Sequence, residues 1–317
     1  MAGVYVVTLL VAIPPALALR DAIASHLGAS VAADAMASSV NWEWWEEFLA
    51  GGSGFERTFT PSVVGFAAVL SNLSSLADNA GLQGVIALTV AAYLVVWAFL
   101  VGGILDRLAR RRRLTSAGFF SACGTYFFRF LRLAVGAGLV YWALFGLVHP
   151  WLLDSLYDVA TRNLTSERST FFVRLVLYLG FGSLVVVVNL VLDYAKVRAV
   201  VEDRRSMIGT LVAAVRFVRR NPIETVGLYL INGALFLLVL AAYATVAPGV
   251  GPAGSSMWMA FLVGQAYVLA RLFAKLVFYA SQTAYFQSQL AHADYVASPP
   301  PVWPESPAAE AIAGTST

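Results

Sequence analysis

The chain has 317 residues, of which 59% are hydrophobic and only 12% charged, against about 25% charged in an ordinary soluble domain. Its net charge of +3 comes almost wholly from arginine, because Lys196 and Lys275 are the only lysines. The single cysteine, Cys123, excludes an internal disulfide and a thiolate metal cluster, and His26, His149 and His292 are too dispersed to suggest a metal site.

The apolar residues gather in runs of about 20, the length that crosses a hydrocarbon core. The first run covers residues 2–19 and contains Pro14-Pro15. A secretory signal is the rival reading, because Ala16-Leu17-Ala18 loosely mimics a cleavage site. Such signals carry a basic flank before the apolar stretch, and none precedes this one. The expectation is a retained, kinked helix, with a coding start upstream of Met1.

Residues 20–84 form a long acidic loop on one side of the membrane, with seven Asp/Glu against Arg20 and Arg57 up to residue 85. Within it, Asn41 to Phe48 reads as a short helix with Trp42, Trp45 and Leu49 on one face and Glu43 and Glu47 on another. Tryptophan favours the membrane–water boundary. Thr60-Pro61 resembles a helix start with proline at the first position. It opens an interfacial or re-entrant piece that ends at Asp78-Asn79.

The second span is placed near residues 85–105 and is followed by the basic run Arg110, Arg111, Arg112 and Arg113. The paired aromatics Phe119-Phe120 and Phe127-Phe128 lead into a third span near 133–148. Residues 149–170 read as a modest loop, and a fourth span near 171–193 continues as helix through Val200. Residues 206–219 place Ile208, Leu211, Val212, Val215 and Val218 along one stripe, which suits a helix lying on a membrane surface. Asn221-Pro222-Ile223-Glu224 has the form of a capping box with proline at N1. It opens the fifth span, near 223–246, and a sixth covers 256–286. From residue 297 onwards the proline-rich tail is expected to be disordered and cytoplasmic.

The loops 105–116 and 193–222 hold twelve Lys/Arg, whereas 20–85 and 149–170 hold four. The positive-inside rule therefore puts the arginine-rich loops and both termini in the cytoplasm. The fold class is all-α: a polytopic helical bundle with about six transmembrane helices plus interfacial amphipathic helices. Arg110, Arg111, Arg112, Arg113, Arg216, Arg219 and Arg220 are positioned for anionic lipid headgroups. No aromatic stacking platform faces the aqueous side, so nucleic acid is not an expected partner.

A shift of 87 residues aligns Leu105-Asp106 with Leu192-Asp193, Arg111 with Arg198, Arg129-Phe130 with Arg216-Phe217 and Arg132 with Arg219. The match fits either a parallel repeat of two hairpins, as in many transporters, or convergence under one charge rule. A carboxylate at a helix C-terminus is electrostatically unfavourable alone, so Asp106 and Asp193 require cations. Arg271, within two turns of the inner boundary on the sixth helix, is the preferred one, with Lys275 at that boundary and Gln265 near the middle; a mid-span charge costs about 2.5–3.5 kcal/mol. Asn189, Asn232 and Gln265 are intramembrane polar groups that usually bridge helices. Gly102-Gly103, Gly136-x-Gly138 and Gly180-x-Gly182 offer surfaces for close packing.

No phosphate loop, HExxH, GxSxG elbow or dinucleotide fingerprint occurs. No cofactor is implied, and the expectation is a non-enzymatic protein. Gly102-Gly103-Ile104-Leu105-Asp106, Leu192-Asp193-Tyr194-Ala195-Lys196-Val197-Arg198 and Arg219-Arg220-Asn221-Pro222 resemble motifs of uncharacterised bacterial multi-pass proteins, among them domains related to the membrane portion of some glycerophosphodiester phosphodiesterases. The similarity covers roughly residues 85–290. It implies a membrane module of the bacterial inner membrane, without the catalytic barrel such enzymes append, and carries over no active-site residue. Two functions follow. One is a scaffold or subunit of an envelope complex with protein partners in the membrane. The other is a small-solute or lipid transporter, which requires a polar cavity reaching the midplane near Asn232, Gln265 and Arg271. An intramembrane enzyme would need Asp106 or Asp193 to face such a cavity beside a second catalytic group.

Overall fold

The computed structural model describes residues 2–28, 30–38, 41–54, 56–58, 65–81, 84–110, 115–247 and 255–297. The chain is an all-α bundle, with no strand among the described residues. Its helices are α1 (Ala2–Leu27), α2 (Ala32–Ser38), α3 (Trp42–Gly51), α4 (Gly65–Ala77), α5 (Gly84–Arg110), α6 (Ser116–Ala143), α7 (Tyr157–Thr161), α8 (Glu167–Val201), α9 (Met207–Arg220), α10 (Pro222–Val246) and α11 (Ser255–Ala297). Among the described residues six helical stretches are long and apolar enough to cross a membrane: α1, α5, the run from α6 to α7, α8, α10 and α11. Their outward faces are apolar, with Phe128, Leu139, Ile231 and Leu238 all more than 60% exposed. A continuous surface of that kind calls for hydrocarbon rather than water around it.

Several boundaries differ from the sequence expectation. The helix α1 runs through Pro14 and Pro15 as far as Leu27, so His26 sits on a helix and packs edge-on against Trp44 and Phe48. That contact selects the Trp44/Phe48 face of α3 for burial, while Trp42 stays exposed; the expected Trp42/Trp45/Leu49 face is not the packed one. The third span is far longer than 133–148. It begins at Ser116 and continues through two π-type segments, Leu144–Val148 and Trp151–Leu156, into α7. The widened turns lie on either side of Pro150, whose ring and missing N–H prevent a regular ladder. Only residues 162–166 remain as the connection to α8. His149, buried within this extension, is bonded through Nε2 to the Ala77 carbonyl at 2.8 Å. Asn79 donates to the Phe145 carbonyl and Tyr178 donates to Asp78, so the end of α4 is tied to both neighbouring helices. Thr60-Pro61, the run Arg111–Arg113 and the tail 298–317 lie outside the described residues.

The α5–α6 contact is the tightest in the bundle, and Gly102-Gly103 make it possible. A Cβ at Gly102 would lie 2.9 Å from the Tyr126 Cβ, and one at Gly103 would lie 2.6 Å from the Cys123 Sγ. Cys123 is wholly buried there, a small apolar filler in that contact. The other glycine pairs do not behave in this way: Gly136, Gly138, Gly180 and Gly182 have nothing within 4 Å of an added Cβ.

The amphipathic helix α9 turns its small side inward. Met207, Thr210, Ala213 and Ala214 are buried, whereas Ile208, Val212 and Val215 of the apolar stripe point outward at 80%, 52% and 39% exposure. Arg216, Arg219 and Arg220 are exposed beside that stripe, so α9 presents an apolar strip flanked by guanidiniums to its surroundings. The expected capping box at Asn221 does not form as drawn. The Asn221 Nδ2 turns back and donates to the Phe217 carbonyl of α9, while its own carbonyl accepts from Thr225 of α10. One residue thus closes one helix and opens the next.

Replacing Gly103 with leucine would force a side chain into Cys123 and the Phe119 ring and lower stability by about 1–3 kcal/mol, whereas Gly180→Leu, on an open face, would leave it unchanged. Thermal unfolding of the two variants in detergent measures the difference.

Candidate functional site: a charged cavity inside the bundle

Around the centre of the bundle five helices close a ring: α5 packs on α6, α6 on α8, α8 on α10, α10 on α11, and α11 on α5. Between them lies a half-open cavity of about 560 Å3. Leu94, Trp97, Ala98 and Val101 of α5 line it, with Phe130, Leu133, Ala134, Ala137, Gly138 and Tyr141 of α6. Its other walls are Asn189, Leu192, Asp193 and Lys196 of α8, Tyr229 and Phe236 of α10, and Arg271, Lys275, Phe278 and Tyr279 of α11. At 1.5 Å per residue, Tyr229 and Phe236 lie about 10 and 21 Å along an α10 some 37 Å long, so the cavity occupies the middle of the bundle.

The local sequence explains why the charges stand where they do. Asp193 and Lys196 are three residues apart on α8 and therefore share a face; Lys196 Nζ binds Asp193 Oδ1 at 2.7 Å and lies 5.8 Å from the centre of the Tyr279 ring. Asp106 is likewise paired within its own helix, by Arg110 Nε at 2.8 Å. The expected partnership of Arg271 with either aspartate is therefore corrected. Each carboxylate has a cation of its own helix about one turn further on, Arg110 for Asp106 and Lys196 for Asp193. Arg110 is correspondingly an ion-pair partner as well as a surface arginine.

Arg271 and Lys275 are four residues apart on one face of α11, and among the described residues neither makes an ion pair. Arg271 is exposed and lies 5.7 Å from the centre of the Tyr267 ring. Lys275 is half-buried, with Nζ 3.8 Å from the centre of the Trp97 ring. Trp97 in turn donates from Nε1 to the Tyr279 hydroxyl at 3.3 Å. The aromatic faces satisfy part of each cation, and the acid that lines the same space, Asp193, is ion-paired with Lys196.

The three intramembrane amides bridge helices, as read from the sequence. Asn189 accepts from the Tyr141 hydroxyl at 2.8 Å, joining α8 to α6. Asn232 donates to the Ser281 hydroxyl at 2.8 Å, joining α10 to α11. Gln265 accepts from the Tyr5 hydroxyl at 2.6 Å, joining α11 to α1. Asn232 and Gln265 do not line the cavity; Asn189 does. The sequence reading missed Lys196 as a cavity residue, and its i, i+3 spacing to Asp193 is the signal that identifies it.

A second set of charges closes the bundle at the α9 end. Arg129 of α6 binds Asp203 at 2.6 Å and donates to the Arg204 carbonyl. Arg198 binds Glu202 at 2.9 Å and donates to the Ala213 carbonyl, and Arg204 also binds Glu202. The two hairpins aligned by the 87-residue shift differ here. Arg129 lies inside the continuous α6, whereas its counterpart Arg216 is exposed on the separate helix α9.

Comparison with family models, with curated proteins and with solved structures gave no match. The cavity is therefore interpreted from its own chemistry.

Two outcomes are expected of these pairs. Replacing Asp193 with asparagine would leave Lys196 without its acid inside the bundle and cost about 3 kcal/mol. Replacing Lys196 with glutamine in the same chain would recover part of that loss, in a double-mutant cycle read by unfolding in detergent. At the α9 end, the hydrogen bond from Arg129 holds the Asp203 carboxyl below the usual carboxylate range. A carboxyl lowered in the folded state contributes stability above its unfolded value, near 3.9, and loses it as pH falls through the folded one. The Arg129–Asp203 clamp is thus intact at neutral pH and opens only in acid below about pH 4. An Asp203→Asn variant would lose that acid-dependent component of its unfolding midpoint.

Proposed function

We propose that this chain is a multi-pass protein of the bacterial inner membrane that binds a small solute or lipid inside its helical bundle and transports it. One observation carries the reading: a half-open space at mid-bundle, mostly apolar, lined by Asp193, Lys196, Arg271 and Lys275. Cavities of about 300–1,000 Å3 with a few placed polar groups are the usual form of small-molecule sites. Inside a membrane, ionisable side chains usually mark a substrate path. Asp193 faces the cavity with its carboxylate held by Lys196, an arrangement suited to binding rather than to proton abstraction, so the reading is non-enzymatic.

The arginine-rich α9 end is assigned to the cytoplasm, with both termini on that side. There Arg216, Arg219 and Arg220 meet anionic headgroups, at about 1 kcal/mol for each basic residue near the surface. A second reading, a scaffold or subunit of a membrane complex, draws on α1. Only 6% of its apolar window is buried, which leaves a whole helical face open to lipid or to another membrane protein.

Native mass spectrometry of the full chain released from nanodiscs separates the two. A small non-protein adduct that disappears on Gly138→Phe, where the new ring fills the cavity without a backbone clash, is the expected result. Loss of no adduct, together with a stably associated protein, would support the scaffold instead. Reporter fusions after Asn163 and after Thr210 test the orientation, with export expected at the first position and cytoplasmic retention at the second.

A further inference from the structure

From the placement of the two cations on α11, we infer that the ligand is an amphiphilic oxyanion: one acidic group, a carboxylate or phosphate monoester, on a single apolar chain. This rests on the cavity being a binding site and adds the class of molecule it takes. Lys196 is neutralised by Asp193 at 2.7 Å, which leaves Arg271 and Lys275 as the net charge of the cavity. Like charges four residues apart on a helix repel, and each is costly among apolar helices. A single oxyanion placed between them relieves both costs at once. The planar fork of arginine and the point charge of lysine together suit a group with two or more acceptor oxygens.

The rest of the cavity argues for the chain. Apart from the Asp193–Lys196 pair, Asn189 and the tyrosines, the other walls are apolar, and on α6 Ala134, Ala137 and Gly138 leave room that larger side chains would fill. At about 560 Å3 it suits a molecule of drug size, so a single tail enters whole. A two-chain phospholipid would leave most of itself outside. Arg271 is exposed and Lys275 half-buried, so the acidic group meets arginine first and is seated against lysine, with Trp97 alongside.

Trp97 supplies the readout. A terminally brominated medium-chain fatty acid, titrated into the purified full chain in nanodiscs, should quench a saturable component of the tryptophan emission that is missing from Trp97→Phe. The brominated alcohol of the same length should bind at least about tenfold more weakly. Arg271→Gln and Lys275→Gln should each weaken the acid by about tenfold, the loss of one charge-assisted hydrogen bond, and leave the alcohol unaffected. If acid and alcohol quench equally and neither substitution matters, the anion assignment falls while the cavity stands as a binding site. If inorganic phosphate displaces the acid as well as unbromated acid does, the apolar chain is dispensable and the amphiphile assignment falls. Should neither brominated probe give Trp97-dependent quenching in protein with an unchanged melting temperature, the binding-site reading falls with it.

Discussion

Charge compensation inside an apolar bundle is the constraint on which the rest of this structure depends. Each carboxylate that reaches the hydrocarbon side of a helix end must find a cation, and the nearest one is always on its own helix, three or four residues away. Asp106 takes Arg110 and Asp193 takes Lys196. Both pairs close locally, so the carboxylates contribute little to joining helices. That work passes to neutral contacts: the glycine seam between α5 and α6 and the amide–hydroxyl bridges from Asn189, Asn232 and Gln265. Each bridge is worth only about 0.6–2 kcal/mol. Three of them nevertheless fix the relative heights of α1, α6, α8, α10 and α11, and so hold the ring open around its cavity.

The α9 end resolves the opposite problem. There the chain leaves the apolar layer, and the charges can afford to be long-range because water screens their errors. Arg129 reaches from α6 to the turn after α8, and Arg198 reaches to α9. The helix α9 is locked between them by its small inward face, with Ala213 and Ala214 buried. This leaves its apolar stripe free to face the membrane. The amphipathicity that a sequence shows at once thus belongs to the surface, and the quieter alanine–threonine side is the one that packs. A rule that the most apolar face is the buried face fails for a helix with lipid on one side and protein on the other.

Much of the architecture was legible in the sequence because the bilayer imposes a length. Runs of about 20 apolar residues, the continuation of α8 past Val200, the amphipathic α9 and the bridging amides all follow from residue type and spacing. What could not be read depends on which side of a helix meets which neighbour. The Trp44/Phe48 face of α3 is chosen by His26, whose position depends on α1 running through two prolines. The extension of the third span past Pro150 depends on π-type turns that no periodicity announces. The cavity is the clearest case. Residue type and position single out Asp193, Arg271 and Lys275 but not Lys196, and they pair Arg271 with an aspartate because a cation without an acid in an apolar span is improbable on energetic grounds alone.

That improbability is the strongest argument about the site. A bundle selected for stability alone would place leucine at positions 271 and 275, remove the cost of holding two cations among apolar helices and fill the space beside Trp97. Aromatic rings lessen the cost, at about 0.5–2 kcal/mol for a cation–π contact, but do not cancel it. Nor does Asp193 cancel it, since it is already taken by Lys196. The retained excess of positive charge is therefore a local departure from the consistency that governs the rest of the fold, and such departures concentrate at functional sites. Stability given up there is recovered when an anion binds, by mass action on the folded state. On this view the ligand belongs to the energetics of the bundle as much as to its function.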